Sequence, residues 1–272
     1  MPFDLGATAR LTAECRDAGG TLANATTAVV TVTLPDGSTA TPAVTNPPAQ
    51  TGQYRADYVT VQAGRHTVRW QFTGPAHAYV DVLDVREAEP AWLFSLADAK
   101  EQLNLTTSNQ DEEVRDKIGA TTRAVEWFVG PVAVRTVTEV HQAAVMQTLA
   151  LRKVPALSLT SVAAVLDGGT SYETSALDLD GDTGVVQRRD GGLMYGPLRV
   201  VYRAGRLIVP ENIREGGELI LQHLWRTRQG PGRPQLGVGD FDVTEPIPGL
   251  GYAIPNRALQ LLSPDQLPPG MA

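Results

Sequence analysis

Apolar and polar positions alternate in two different ways along this chain, and the change comes near residue 88. From Ala7 to about Arg86 the apolar residues recur in short β-rich runs, with no sustained helical period. These runs are Val29 to Leu34, Gly52 to Val59, Arg65 to Phe72 and His77 to Val85, and period two is clearest in Val29-Val30-Thr31-Val32-Thr33-Leu34. Between them lie Pro35-Asp36-Gly37, Pro47-Pro48 and Gly74-Pro75, whose fixed or permissive φ angles favour turns.

Strands of this length and spacing predict a small immunoglobulin-like β-sandwich over residues 1–88. The cysteine pair and buried-tryptophan spacing of antibody domains are absent, so the prediction concerns architecture alone. Glu87-Ala88-Glu89-Pro90 then breaks the alternation, and the period lengthens to about three and a half. Ser95, with Asp98 three residues on, reads as the start of a short helix from Leu96 to Leu103. A second helix starts near Asn109 as N-cap, opens on Asp111-Glu112-Glu113, and runs to Phe128 before Gly130-Pro131. Val114, Ile118, Val125 and Phe128 fall on one face of it.

Between Arg135 and Tyr202 the pattern returns to strands: Val137 to Val145, Leu157 to Leu166, Gly184 to Arg188 and Leu198 to Tyr202. They predict a small, mostly antiparallel sheet. Pro210 suits a first helical turn, and Ile213, Gly217, Ile220 and Leu224 trace a stripe along a third helix from Glu211 to about Arg228. Gly216-Gly217 inside it costs about 1 kcal/mol per glycine relative to alanine. Close approach of another helix, a hinge and simple tolerance are the three readings of that pair. Residues 230–272 are rich in proline and glycine and read as an extended or partly disordered arm. The fold class expected is α+β and multidomain: a sandwich (1–88), a mainly helical domain with a small antiparallel sheet (89–229), and the arm (230–272).

Composition narrows the function classes. Of 272 residues, 42% are apolar and 19% charged, within the globular range. A net charge of −7 gives no bulk electrostatic drive toward nucleic acid or anionic membranes, although a local basic face is compatible with it. Cys15 is the single cysteine, which excludes an intrachain disulfide and thiolate-rich zinc sites. No signal-peptide pattern and no apolar run of membrane-spanning length occur, so a soluble product folding in a reducing compartment is expected.

Chemistry-bearing motifs are few. Asp178-Leu179-Asp180-Gly181-Asp182-Thr183-Gly184 resembles a cation loop, but counting from Asp178 puts Thr183 where an EF-hand needs glycine and Arg189 where it needs the bidentate glutamate. An acidic turn between strands is the simpler reading. His66, His77, His141 and His223 form no helical i, i+4 pair and no hydrolase motif. Gly168-Gly169 and Gly191-Gly192 read as hairpin turns. Arg188-Arg189 and the stretch Arg199 to Arg206 add local positive charge, without the interleaved aromatics used to stack single strands. No catalytic residue, metal ligand or cofactor site is predicted, and a calcium-dependent enzyme built on the acidic turn has only that turn to support it.

Three segments together resemble the head–tail connector, or adaptor, proteins of long-tailed double-stranded DNA phages. They are Ser95 to Leu103 with the acidic-start helix to Gly130; the hairpin Leu177 to Val186; and Val200-Val201-Tyr202-Arg203-Ala204-Gly205, leading through Val209-Pro210 into the helix that ends His223-Leu224-Trp225-Arg226. The resemblance covers about half the chain. It implies a non-enzymatic virion protein assembled in the host cytoplasm as a ring of about twelve copies in the neck, docked on the portal, followed by a stopper or tail-terminator protein, and passed by DNA without sequence-specific binding. On that reading Ile213, Gly216, Gly217, Ile220, Leu224, Trp225, Arg226 and Arg228 are the expected assembly interface. The first 88 residues have no counterpart in the minimal connector, and a glycan- or protein-binding module on a virion or host surface is the competing expectation for them.

Overall fold

Period-two alternation builds the first six strands: β1 (Thr8–Glu14), β2 (Thr27–Thr33), β3 (Thr39–Ala40), β4 (Gln53–Val59), β5 (Gly64–Thr73) and β6 (His77–Val85). The structure is a computed structural model that describes residues 2–227 and 254–267. The chain divides into two compact units, Met1–Pro90 and Ala91–Ala272. In the first, β3-β2-β5-β6 form one antiparallel sheet and β1-β4 another. Ala9, Leu11 and Ala13 of β1 and Tyr54, Ala56 and Tyr58 of β4 share a single core with Val30, Val32, Val68, Trp70, Phe72, Leu83 and Val85 from the larger sheet. β1, β4 and β5 bury alternate residues because successive side chains leave opposite faces of the pleat.

The second unit begins with α1 (Leu96–Gln102), where Ser95 accepts a hydrogen bond from the Asp98 N–H at 3.1 Å, as its position in the sequence predicts. In α2 (Asp111–Val129) the N-cap is Gln110 rather than Asn109, and it makes no side-chain cap. The acidic first turn supplies the favourable charge there, and Lys100 Nζ meets Asp111 Oδ1 at 2.6 Å to join the two helices. At the far end Gly130 takes φ 73°, and a β-carbon on it would stand 2.1 Å from the Val154 carbonyl oxygen. Only glycine fits.

The β part is larger than a single small sheet. It comprises β7 (Arg135–His141), β8 (Val145–Met146), β9 (Thr148–Ala150), β10 (Ala156–Ala164), β11 (Leu177–Leu179), β12 (Val185–Arg188), β13 (Met194–Tyr195) and β14 (Leu198–Ala204). These pair as three antiparallel sheets, β10-β14-β7, β11-β12-β9 and β13-β8. The expected run Val137 to Val145 is therefore split between β7 and β8. Two helices complete the unit, α3 (Glu211–Thr227) and α4 (Asn256–Leu262). The expectation of a mainly helical domain is corrected to a mixed one, and the chain as a whole is mainly strand with four helices among the described residues.

An arm without regular structure after Gly230 is also corrected for 254–267. There Ala258 and Leu262 of α4 are buried in one core with Val125, Val129, Ile213 and Ile220. Asn212 Nδ2 donates to Leu261 O and Asp265 Oδ2, each at 2.8 Å, and the Leu267 N–H donates to Phe128 O at 2.9 Å. The rest of the expected arm lies outside the described residues.

Candidate functional site

The stripe expected to form an assembly surface is consumed inside the second unit. Ile213, Gly216, Gly217, Ile220 and Trp225 are buried, Leu224 is half-buried, and Arg226 is exposed; Arg228 lies outside the described residues. Ile213 and Ile220 pack with α2 and α4, while Trp225 joins Phe94, Ala99, Val114 and Ile118. The glycine pair exists for close approach: a β-carbon at Gly216 would lie 3.1 Å from Leu262 Cδ2, and one at Gly217 would lie 2.5 Å from Leu93 Cδ2 and 2.8 Å from Phe94 Cζ. An amphipathic stripe needs an apolar cover, and here α4 and the Leu93-Phe94 segment provide it. Those buried residues are unavailable to a neighbouring molecule.

A polar cluster that the sequence reading missed sits under the β10-β14-β7 sheet. Glu139 on β7 and Tyr202 on β14 are both buried. The Tyr202 hydroxyl donates to Glu139 Oε1 at 2.5 Å and accepts from the Lys153 N–H at 3.0 Å. The same carboxylate takes the Arg152 N–H at 3.2 and 3.1 Å on its two oxygens and meets His141 Nε2 at 3.2 Å. Burial first, and then the hydrogen bond to the carboxylate, push the phenol pKa far above its ordinary value, so the hydroxyl stays a neutral donor. The cluster clamps the 151–155 turn onto the sheet. Its two members are distant in sequence, and neither carries a local motif.

The acidic turn joins β11 to β12. Asp180 accepts from the Thr183 hydroxyl at 2.6 Å, from the Thr183 N–H at 3.4 Å and from the Asp182 N–H at 3.1 Å, and these bonds, the hydroxyl first, hold its carboxyl below the usual range. Among the described residues no group of three or more His, Cys, Asp or Glu is placed to hold a metal ion. Cys15 is buried in the sandwich core, which raises its thiol pKa. His223 is buried on α3, and burial followed by the charge of Arg226 lowers its pKa.

Of the arginines, Arg188 pairs with Asp190 and lies 5.8 Å from the centre of the Tyr172 ring, and Arg189 Nε donates to Leu177 O at 2.9 Å. Arg206 donates to Val129 O at 2.8 Å and Pro131 O at 3.2 Å. Arg199 and Arg203 are instead exposed on β14.

Two surface features of the second unit are conspicuous. Leu207 and Ile208, 78% and 85% exposed, follow the Ala204 end of β14; at its Leu198 end lie the exposed Leu166, Val145 and Tyr195, the last two paired across β8 and β13. In the first unit a half-open cleft of about 810 Å³ is lined by Arg10, Arg16, Arg55, His77 and Tyr79 among others. Arg10 is held by Asp57 at 2.9 Å and Arg16 by Glu14 at 2.5 Å. Among the described residues no helix is long and apolar enough to cross a membrane.

No family model matches this chain, and no curated protein does. Among solved structures, the Lin-41 filamin domain is similar over 31% of this chain and 82% of that chain, at 23% identity and a TM-score of 0.25, a likeness too weak to define the fold.

Proposed function

We propose that this chain is a structural subunit of the head–tail connector ring of a tailed bacteriophage, seated between portal and tail, with an immunoglobulin-like domain at its front. The observation that carries the reading is the pair of exposed apolar tips at opposite ends of β14, Leu207-Ile208 at one and Leu166, Val145 and Tyr195 at the other. Exposed apolar clusters of this kind mark protein contacts. Two different tips at opposite ends of one strand suit head-to-tail, heterologous contacts, which close into a ring when the rotation between neighbours allows it. The assembly surface thus moves from the α3 stripe to these tips. The segments that resemble connectors correspond to the Ser95-capped α1, the β11–β12 hairpin, and β14 leading into α3.

Cryo-electron microscopy of particles, with the chain identified by mass spectrometry, tests this reading. A closed ring of about twelve copies under the portal is expected, and particles carrying Leu207→Ser with Ile208→Ser should incorporate fewer copies. Absence of the chain from the neck refutes the reading. The cleft in the first unit supports a second one, a glycan- or protein-binding module on a virion or host surface. A glycan array probed with the full chain, and again with Arg55→Ala, distinguishes it.

A further inference from the structure

We infer that the outward face of the β10-β14-β7 sheet is a contact surface for the phosphate backbone of duplex DNA. The inward face of this sheet carries Leu198, Val200, Tyr202 and Ala204 into the core, so Arg199 and Arg203 leave on the other side. Register places Arg203 between Thr136 of β7 and Ser158 of β10, and Val201 between Thr138 and Ser161. Guanidinium and hydroxyl donors therefore share one open face. The three strands contain one acid, Glu139, and it is buried on the inward side. Among the described residues neither Arg199 nor Arg203 has a carboxylate within 4.0 Å.

Such a face complements a polyanion rich in acceptors. Arginine, serine and threonine are the side chains that hold phosphate oxygens without reading sequence. Four residues along a strand separate the two guanidinium stems by about 13 Å, close to the width of about 12 Å across the B-DNA major groove. One chain can thus meet phosphates on both edges of a groove, a spacing that a flexible acidic peptide does not require. The chain's overall charge of −7 keeps this attraction local to the face. The presence of duplex DNA rests on the connector reading, whereas the surface chemistry stands without it.

The experiment is fluorescence anisotropy of a labelled duplex of about 30 base pairs with the full chain, titrated between about 20 and 200 mM salt. Binding that weakens with salt is expected, with the log–log slope falling by about 2 per bound chain in Arg199→Gln/Arg203→Gln, since each lost phosphate contact removes about 0.9. Both residues are exposed, so thermal unfolding should be unchanged. Thr138→Glu, which adds an acid to the face and keeps both arginines, should weaken binding as well. No binding at low salt, an unchanged slope in the double variant, or equal displacement by polyglutamate at matched charge would each overturn the inference. A neck ring without this salt effect leaves the connector reading standing; DNA binding by a chain missing from the neck does the reverse.

Discussion

Replacing Tyr202 by phenylalanine keeps the ring and deletes one hydroxyl from a site with no solvent to replace it, since Tyr202 is 0% exposed. Two bonds disappear: the 2.5 Å donation to Glu139 Oε1 and the 3.0 Å acceptance from the Lys153 N–H. A hydrogen bond to a charged acceptor contributes about 1.5–3 kcal/mol, and the part-buried Lys153 N–H left without its partner costs up to about 1 kcal/mol. Glu139 keeps the Arg152 N–H and His141, so the carboxylate is not orphaned and the low end of the first range applies. The expected loss is about 1.5–2.5 kcal/mol. Urea unfolding of full-length protein measures it, fitted without assuming one transition because the chain has two units. Native-state hydrogen exchange localises it: the Lys153 amide should exchange about 10- to 60-fold faster, as each tenfold corresponds to about 1.4 kcal/mol. A cycle with Glu139→Gln should return a coupling of about 1–3 kcal/mol. The sign with pH is fixed by the raised phenol pKa: its contribution is full below the unfolded tyrosine value of about 10 and is lost as pH rises beyond it, a component the variant lacks. A loss under about 0.5 kcal/mol with unchanged Lys153 exchange refutes the clamp.

Four further outcomes are expected. Gly217→Ala should destabilise by about 1–3 kcal/mol through overpacking against Leu93 and Phe94 despite its better helix propensity, whereas Gly119→Ala, whose added carbon meets only Trp92 Nε1 at 3.8 Å, should stabilise by up to about 1 kcal/mol in the same urea unfolding assay. Ser95→Ala removes the α1 cap and should cost about 1 kcal/mol by chemical denaturation. Because His223 is buried with a lowered pKa, the unfolded state binds the extra proton first; stability should fall as pH drops below about 6.5, and His223→Gln should flatten that slope.

What could be read from the sequence was local. Alternation in Val29 to Leu34, the Ser95 cap, the acidic start of α2 and Pro210 ahead of α3 each act within one turn or one strand, so they specified where elements begin and which face is apolar. The stripe on α3 was legible as an apolar face and read as an assembly surface, but its cover within the chain was not. That cover is α4, a helix of 7 residues too short to nucleate on its own propensity. It exists because Ala258 and Leu262 dock on α3 where Gly216 lets Leu262 approach. Strand pairing was equally out of reach: joining Glu139 to Tyr202, 63 residues apart, depends on a register set by two strands and a turn at once. Periodicity states that a face must be covered; only packing decides whether the same chain covers it or leaves the contact to exposed tips such as Leu207 and Ile208.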